Sequence, residues 1–356
     1  MTKTVVVGIA CLALLLAGSR LQADPWEWEL LPSPEHDLNV ARHSLTAEAV
    51  DGNLFAIGGS VYPNGPGDAQ NVVSMYDPLV DPPHWSTDPP APMPTARRSL
   101  DSAVIGYDIY AVGGAVGNST DETERYHVPT DTWHSCADLN TARSGLGVAA
   151  YGGMLYAFGG NSSGSYQSSI ERYDPGADEW IILPCEMPEA WEPWQAVTLG
   201  DKIYLAGGDS NDGVRSQLCS FDPNAGDCSE AWDTDLPDME VARKGHELVV
   251  AGDLIFAIGG RDNADNVFDS VEYWRPGWDD WQLAPSLNVA RSGPGAAVLP
   301  LPDGTYDIYV FGGNENIGVV DLASTERLHI PEPATLSLLA FGGLAMVRRR
   351  RVSAKC

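Results

Sequence analysis

The chain has 356 residues, with 21 Lys and Arg against 49 Asp and Glu, so its formal net charge is -28. Such a charge excludes a general nucleic-acid binder, because the phosphate backbone repels it. With 44% hydrophobic residues, 37 Gly and 26 Pro, the composition excludes a disordered acidic chain and favours a turn-rich, all-β protein with a large core.

The first 23 residues have the layout of a secretory signal peptide. Lys3 precedes an apolar run from Val5 to Ala17, and Ala23 supplies the small residue of a cleavage site. The apolar run is too short to span a membrane comfortably. We therefore expect signal peptidase to remove residues 1–23, which leaves a mature protein that begins near Asp24.

Pairs of glycine recur through the middle of the chain at intervals near 50 residues. Each pair ends a short apolar run rich in β-branched and aromatic residues, which is typical of a buried strand. A period of this length indicates stacked supersecondary units. The pairs are Gly58-Gly59, Gly113-Gly114, Gly159-Gly160, Gly207-Gly208, Gly259-Gly260 and Gly312-Gly313.

Other residues repeat in step with the glycines. Arginine precedes five of the pairs, and an aromatic residue and then a tryptophan follow most of them. A residue that recurs in nearly every unit is expected to be structural, so we predict that these arginines bond to carbonyls or acidic neighbours inside the fold. They are Arg42, Arg97, Arg143, Arg243 and Arg291.

Over about 300 residues this pattern resembles the kelch repeat. The resemblance implies a six-bladed β-propeller of four-stranded blades over residues 24–330. The sixth unit lacks its own tryptophan strand, whereas Trp26 to Leu31, upstream of the first unit, is similar to the segment that begins at Trp281. We therefore predict that the N-terminal strand closes the last blade, which removes an open sheet edge.

The fourth unit departs from the pattern and is the best candidate for a binding site. Its arginine is replaced by Trp191, which opens the sequence Trp191-Glu192-Pro193-Trp194. Aromatic rings next to an acceptor suit the faces of sugars, so Trp191, Glu192 and Trp194 are candidate ligand contacts. Packing between blades is the alternative interpretation of the same residues.

The loop after the fourth glycine pair suggests a catalytic alternative. It resembles the corresponding segment of periplasmic sialic acid mutarotases, which are secreted six-bladed kelch proteins. The resemblance implies a catalytic acid at Asp209 and an arginine at Arg215, although the family carries glutamate at the first position. A plain polar turn is the competing interpretation. The sequence has no phosphate loop or catalytic signature motif, and we predict neither a metal nor a cofactor.

Four cysteines lie between the two terminal segments, as suits an exported protein. Cys219 and Cys228 flank the expected hairpin turn at 224–227, which would fold them back together. The sequence therefore predicts a disulfide between Cys219 and Cys228. No pairing of Cys136 with Cys185 is predicted.

The C-terminal segment, residues 331–356, contains Pro331-Glu332-Pro333, an apolar stretch from Ala334 to Val347 and four arginines, Arg348 to Arg351. This order resembles the PEP-CTERM sorting signal of Gram-negative bacteria. The resemblance implies transient insertion of the tail in the membrane with the arginines on the cytoplasmic side, and cleavage by an exosortase. The apolar stretch is short for a full span.

Together these features predict an exported, monomeric propeller of the cell envelope or extracellular matrix. We expect it to be a binding module whose partner is an envelope protein or a polysaccharide. The alternatives are a carbohydrate-active enzyme of mutarotase type and a structural surface protein without a discrete ligand. The fold alone does not choose among them, because it hosts many functions.

Overall fold

The computed structural model describes residues 26–63 and 68–331. Within these ranges the chain forms six antiparallel four-stranded sheets, which we call blades 1 to 6, with strands a to d from the inside outward. Blade 1 comprises Thr46–Val50, Asn53–Ile57, Val73–Asp77 and His84–Trp85; blade 2, Asp101–Ile105, Asp108–Val112, Thr123–His127 and Thr132–Ser135; blade 3, Gly147–Tyr151, Met154–Phe158, Ser169–Asp174 and Glu179–Glu186. Blade 4 comprises Val197–Leu199, Lys202–Ala206, Leu218–Phe221 and Trp232–Asp233; blade 5, Glu247–Ala251, Leu254–Ile258, Val271–Trp274 and Gln282–Leu283; blade 6, Gly295–Pro300, Tyr306–Phe311, Thr325–Ile330 and the N-terminal Trp28–Leu30.

Short ribbons join strands b and c on one face of the molecule, which we call the b–c face. They are Ala115–Val116 with Asn118–Ser119, Asn161–Ser162 with Ser165–Tyr166, Asp209–Ser210 with Gly213–Val214, and Asn314–Asn316 with Val320–Asp321. In blade 4 the segment Trp191–Glu192, which precedes strand a, also pairs with Asp209–Ser210. One turn of 3₁₀ helix spans Val128–Thr130. Within the described ranges, no helix is both long and apolar enough to span a membrane.

The blades form a closed ring. Each strand a contacts the strands a of the two neighbouring blades, and that of blade 6 contacts that of blade 1. The N-terminal strand pairs antiparallel with strand c of blade 6, with Trp28 opposite Leu328 and Leu30 opposite Glu326. The predicted closure is therefore confirmed, and the two described ends of the chain lie in the same blade.

The glycine pairs are required where neighbouring blades meet. At Gly113 the φ angle is 60°, and a Cβ atom there would lie 2.6 Å from the carbonyl oxygen of Arg143 in the next blade. The amide of Gly114 donates a 2.9 Å hydrogen bond to that same carbonyl. Only glycine tolerates both the left-handed backbone and the close approach, so each pair acts as a contact between blades.

The repeated arginines are buried structural residues, as predicted. Arg143 has no exposed surface, donates to the carbonyl oxygen of Gly159 at 2.9 Å and pairs with Glu171 at 2.7 Å. The same arrangement, which we call the arginine clamp, pairs Arg97 with Glu124, Arg243 with Glu272 and Arg291 with Glu326. In blade 1, Ser74 replaces the glutamate and accepts from Arg42 at 3.2 Å. Without an acid, burial lowers the pKa of Arg42 to about 10.

The recurring aromatic residues fill the outer parts of the blades. Tyr173 on strand c and Trp180 on strand d lie 5.2 Å apart between ring centroids, and the corresponding rings of blades 1, 2 and 4 pair similarly. Trp180 also donates to the hydroxyl of Thr123 in blade 2 at 3.1 Å. These rings therefore both thicken each blade and join it to its neighbour.

The predicted disulfide between Cys219 and Cys228 is wrong. Cys228 bonds to Cys185 of blade 3, with a Cα–Cα distance of 5.0 Å, while Cys219 is a buried free thiol. The hairpin register explains the error. Phe221 lies opposite Trp232, so Cys228 falls within the connecting loop and not on strand d.

Cys219 has a separate reason to be buried. On strand c it lies opposite Leu205, at the position where Glu171 of blade 3 lies opposite Ala157. Cys219 thus takes the place of the clamp glutamate, just as Trp191 takes the place of the clamp arginine. The disulfide instead joins blade 4, which lacks a clamp, to blade 3.

We expect non-reducing peptide mapping to recover a cross-linked pair containing Cys185 and Cys228, with Cys219 alkylated only after unfolding. The bond closes a 43-residue separation, so its reduction should lower the free energy of unfolding by about 4 kcal/mol in the chain-entropy description. A peptide that joins Cys219 to Cys228 would contradict this pairing.

Candidate functional site

A polar cleft of about 500 Å³ opens on the b–c face near the ring axis, and we call it the axial cleft. The connections between blades and the b–c ribbons supply its walls, because both end at this face. Its lining is mostly small and polar, with two arginines and one tryptophan. The lining residues are His43, Ser44, Arg98, Ser99, Ala115, Gly117, Asn118, Ser119, Ser144, Asn161, Ser163, Gly164, Trp194 and Arg261.

A ring of backbone hydrogen bonds, which we call the collar, encircles the axis below the cleft. One residue per blade adopts a positive φ angle here: Ser44, Ser99, Gly145, Trp194, Gly245 and Gly293. The amide of each collar residue donates to the carbonyl of the preceding blade's collar residue at five of the six junctions, over 2.7 to 3.1 Å. The collar therefore fixes the positions of the side chains that line the cleft floor.

Blade 4 departs from this geometry because of a proline. In blades 1, 2, 3, 5 and 6 the collar residue follows the clamp arginine by two positions, but in blade 4 that position is Pro193. The pyrrolidine ring fixes φ near -65° and removes the amide hydrogen, so the left-handed turn moves to Trp194, with φ of 67°. The displacement aims Trp194 into the cleft, whereas Leu146, the corresponding residue of blade 3, is buried.

Trp191 is a packing residue. Its side chain is 3% exposed and lies in the core between blades 3 and 4. The guanidinium of Arg215 stacks 4.9 Å from the centroid of its ring and forms an ion pair with Glu189. The prediction that Trp191 contacts a ligand is therefore wrong, because its ring is buried in the core. The alternative interpretation, that Trp191 packs between blades, agrees with the structure.

Glu192 and Asp209 lie opposite each other on neighbouring strands beside the cleft. Asp209 forms a 2.8 Å ion pair with Lys244. Burial raises the pKa of Glu192 to about 7, and the carboxylate of Asp209 adds to that effect. Burial, with Asp209 as the second cause, also raises the pKa of Tyr166 to about 12. Glu192 is therefore the side chain of this group that can exchange a proton near neutral pH.

The structure thus brings together only part of the predicted site. Trp194 lines the cleft, and Glu192 lies against its collar, with its carboxyl carbon 3.1 Å from a Cβ placed on Gly145. Asp209 and Arg215 bind different partners, and neither is among the residues that line the cleft.

The sequence interpretation missed Arg98 and Arg261. Arg98 immediately follows a clamp arginine, and Arg261 immediately follows a glycine pair. The residues at these two positions pair with each other across the mouth of the blade, as Lys244 does with Arg261, and His43, Ser144 and Asn161 at the same positions also line the cleft. In the sequence, a residue that directly follows a repeated arginine or a glycine pair is therefore a candidate for the lining of the cleft.

The channel inside the ring carries three carboxyl groups. Burial raises the pKa of Glu48 to about 7 and raises the pKa values of Asp101 and Glu247 well above the ordinary range. Asp101 accepts a 2.6 Å hydrogen bond from the amide of Val148 in the next blade. Within residues 26–63 and 68–331, no group of three or more His, Cys, Asp or Glu side chains is placed to hold a metal ion.

We expect Glu48→Gln to stabilise the protein at alkaline pH. The folded-state pKa of Glu48 lies above its ordinary value of 4.5, so its contribution to stability is complete below about pH 4.5 and is lost as the pH rises through about 7. The variant should match the parent near pH 4.5 and be about 1–3 kcal/mol more stable at pH 8. Denaturant titrations at both values, with the exposed Glu179→Gln as control, measure this; an equal effect at both values would contradict it.

Comparison with known proteins agrees with this architecture. The family model described as "KLHDC2/KLHL20/DRC7 Kelch-repeats domain" matches residues 44–260. The models of the kelch motif and of the PEP-CTERM protein-sorting motif match residues 242–288 and 329–351. The last match confirms the predicted sorting signal. Residues 1–23, the predicted signal peptide, and residues 332–356 of the sorting tail lie outside the residues that the structure describes.

Curated kelch-like proteins are similar to this chain in sequence, and a solved structure is similar to it in fold. Kelch-like protein 26 of Danio rerio is 25% identical over 90% of this chain and 53% of its own length. Kelch-like protein 25 of Xenopus tropicalis is 27% identical over 71% of this chain and 42% of its own length. The chain thus spans about half the length of these relatives. The structure of YjhT superposes with a TM-score of 0.65 at 16% identity, covering 81% of this chain and 95% of that one.

Proposed function

We propose that this chain, which belongs to the kelch-repeat family, is an exported binding module whose axial cleft takes a polysaccharide. One observation carries the proposal. Among the six blades that the structure describes, blade 4 alone lacks a clamp arginine and has its collar residue three positions, not two, after the clamp position, and its displaced Trp194 lines the cleft. A departure of this kind weakens the repeat locally and is expected where function requires it.

The cleft has the chemistry of a sugar site. Trp194 offers an aromatic face, and its indole Nε1 is buried without a protein partner in the described part of the chain. Glu192, two residues before it, supplies an acceptor beside the cleft, and Ser119, Ser144 and Asn161 of blades 2 and 3 supply short polar groups in the cleft wall. Rigid aromatic and polar groups around a preformed hollow bind sugars by stacking and hydrogen bonding.

A glycan array probed with the purified protein tests the proposal. Trp194→Gly preserves the left-handed backbone while removing the ring, so it should lose binding to the oligosaccharides that the parent protein retains. Tyr107→Ala is a matched control, because Tyr107 is an exposed aromatic in the a–b turn at the opposite face. Binding that is equal in all three proteins would place the ligand elsewhere, and binding to no glycan would favour a protein partner or a structural role without a discrete ligand.

The mutarotase alternative is favoured by the acid and base groups beside the cleft. A carboxyl group with a pKa of about 7, such as Glu192, suits proton transfer to and from a sugar ring. The structure argues against Asp209 and Arg215 as the catalytic pair, because Asp209 forms an ion pair with Lys244 and Arg215 forms one with Glu189. An anomerisation assay on every sugar that binds separates the two functions: catalysis abolished by Glu192→Gln supports the enzyme, and binding without catalysis supports the module.

The PEP-CTERM motif assigns the chain to the bacterial exosortase export system. We propose further that signal peptidase removes residues 1–23, that the tail is cut after about Pro333, and that the body then resides in the envelope or extracellular matrix as a monomer. Intact mass of material purified from the native host should correspond to residues from about 24 to 333. A mass that retains Arg348 to Arg351 would contradict the C-terminal cleavage.

A further inference from the structure

A second hollow, which we call the interblade pocket, lies between blades 1 and 2 and shares no lining residue with the axial cleft. Its volume is about 230 Å³. The buried rings of Phe55 and Tyr126 form its inner wall, and the partly exposed side chains of Met75 and Val128 continue that wall toward solvent. Sites for drug-sized ligands have volumes of about 300–1,000 Å³, so the interblade pocket has room for a single long side chain.

Two additional residues in the connection from blade 1 to blade 2 build the outer wall of the interblade pocket. The clamp arginine of blade 2 follows the tryptophan of the preceding strand d by twelve positions, whereas the clamp arginine of blade 3 follows its tryptophan by ten. The longer connection contains Asp88, Pro89 and Pro90, which all line the pocket. Proline restricts the backbone, and the next amide, that of Ala91, donates to Asp131 of blade 2 at 2.7 Å. The pocket is therefore a preformed feature of the junction between blades 1 and 2.

Two carboxylates at the interblade pocket lack a cationic partner. Asp131 accepts hydrogen bonds from the hydroxyl of Tyr126 and from the amide of Ala91, each at 2.7 Å, while Asp88 is exposed. Among the residues that the structure describes, no lysine, arginine or histidine forms an ion pair with either carboxylate, and none lines the pocket. Apolar walls beside two negative charges match a lysine side chain, because its methylene chain packs on apolar atoms while its ammonium group stays at the charged surface.

The surface beside the interblade pocket is suited to a protein. The carbonyl oxygen of Tyr107 accepts a 3.1 Å hydrogen bond from the amide of Val128, which lines the pocket. The side chain of Tyr107 is 54% exposed, and tyrosine is enriched where proteins bind each other. An aromatic contact for the body of a protein partner thus lies next to the pocket.

We propose that the interblade pocket receives a lysine side chain of a basic protein partner, whose ammonium group pairs with Asp88 and Asp131. The net charge of -28 attracts such a partner at long range, and the pocket selects lysine over an apolar side chain. The site is separate from the axial cleft, so the proposal goes beyond glycan binding and is tested independently of it.

NMR of the protein labelled with carbon-13 at its methionine methyl groups tests the pocket, with the Met75 signal assigned through Met75→Leu. The probes are the tripeptides acetyl-Ala-Lys-Ala-amide and acetyl-Ala-norleucine-Ala-amide, which differ in the terminal ammonium group of one side chain. The lysine peptide should shift the Met75 signal, with an affinity that falls as salt is raised, because salt screens the charges. The norleucine peptide should shift it less. Equal shifts from both peptides, or no shift from either, would overturn the proposal.

A pair of variants and a simple amine provide the second readout. Asp88→Asn should weaken binding of the lysine peptide about threefold, as expected for an exposed ion pair. Asp121→Asn, at an exposed acid of blade 2 outside the pocket, should leave that binding unchanged. Equal losses in both variants would show that only the overall charge attracts the peptide and would contradict the pocket. Binding of n-butylammonium as tight as that of the lysine peptide would indicate a site for free amines and would overturn the assignment to a protein partner.

Discussion

Replacing Arg143 with methionine is expected to lower the free energy of unfolding by about 3–5 kcal/mol. The change leaves Glu171 without a charged partner, and this is costly because the glutamate has no exposed surface. The hydrogen bonds that Glu171 accepts from the backbone amides of Asn140 and Thr141 hold it in place. It also leaves the carbonyl oxygen of Gly159 without its side-chain donor. Denaturant titration of the folded protein measures the loss.

Removing both members of this clamp should cost less. Arg143→Met combined with Glu171→Gln eliminates the buried charge, so we expect recovery of part of the loss, because much of the single-variant penalty is an uncompensated carboxylate. Arg275→Met, at an exposed pair, should change stability by about 0–1 kcal/mol. A single variant at Arg143 that is no less stable than the Arg275 control would show that the clamp does not hold the blade.

Opening the ring should have a comparable effect. Trp28→Ala removes a buried ring whose indole nitrogen donates to the carbonyl oxygen of Pro285 at 3.0 Å, and loss of a buried tryptophan costs about 3–5 kcal/mol. Deletion of residues 26–31 should cost more, because it also exposes the edge of strand c of blade 6. Thermal unfolding followed by tryptophan fluorescence measures both changes.

The exposed Leu30 is the matched control within the same strand. Leu30→Ser retains the backbone pairing with Glu326, so the melting temperature should change little. A deletion variant that melts at the same temperature as the parent would contradict ring closure by the N-terminal strand.

The repeat made most of the fold predictable. A glycine pair, a clamp arginine and a Tyr-Trp pair in each unit are local signals that recur, so one interpretation applied to Arg97 also held for Arg143 and Arg243. Closure by the N-terminal strand followed from counting, since blade 6 lacks a tryptophan of its own. These inferences require no knowledge of contacts between distant residues.

The disulfide and the binding residues could not be predicted in the same way. The pairing of Cys185 with Cys228 depends on loop length at the blade edge, and the hairpin of blade 4 is longer than its sequence suggested. The cleft depends on which side chains converge from different blades, as Arg98 and Arg261 do. Trp191 and Trp194 are three residues apart, yet the positive φ at Trp194 sends one into the cleft while the other stays in the core.

We propose that the departures of blade 4 from the repeat allow it to bind a sugar in the axial cleft. A crystal structure of the protein with the oligosaccharide that binds most tightly on the array tests it most directly. We expect a sugar ring against Trp194, within hydrogen-bond distance of Glu192 and between the ribbons of the b–c face. An oligosaccharide on the opposite face, or along the outer strands of the blades, would contradict it.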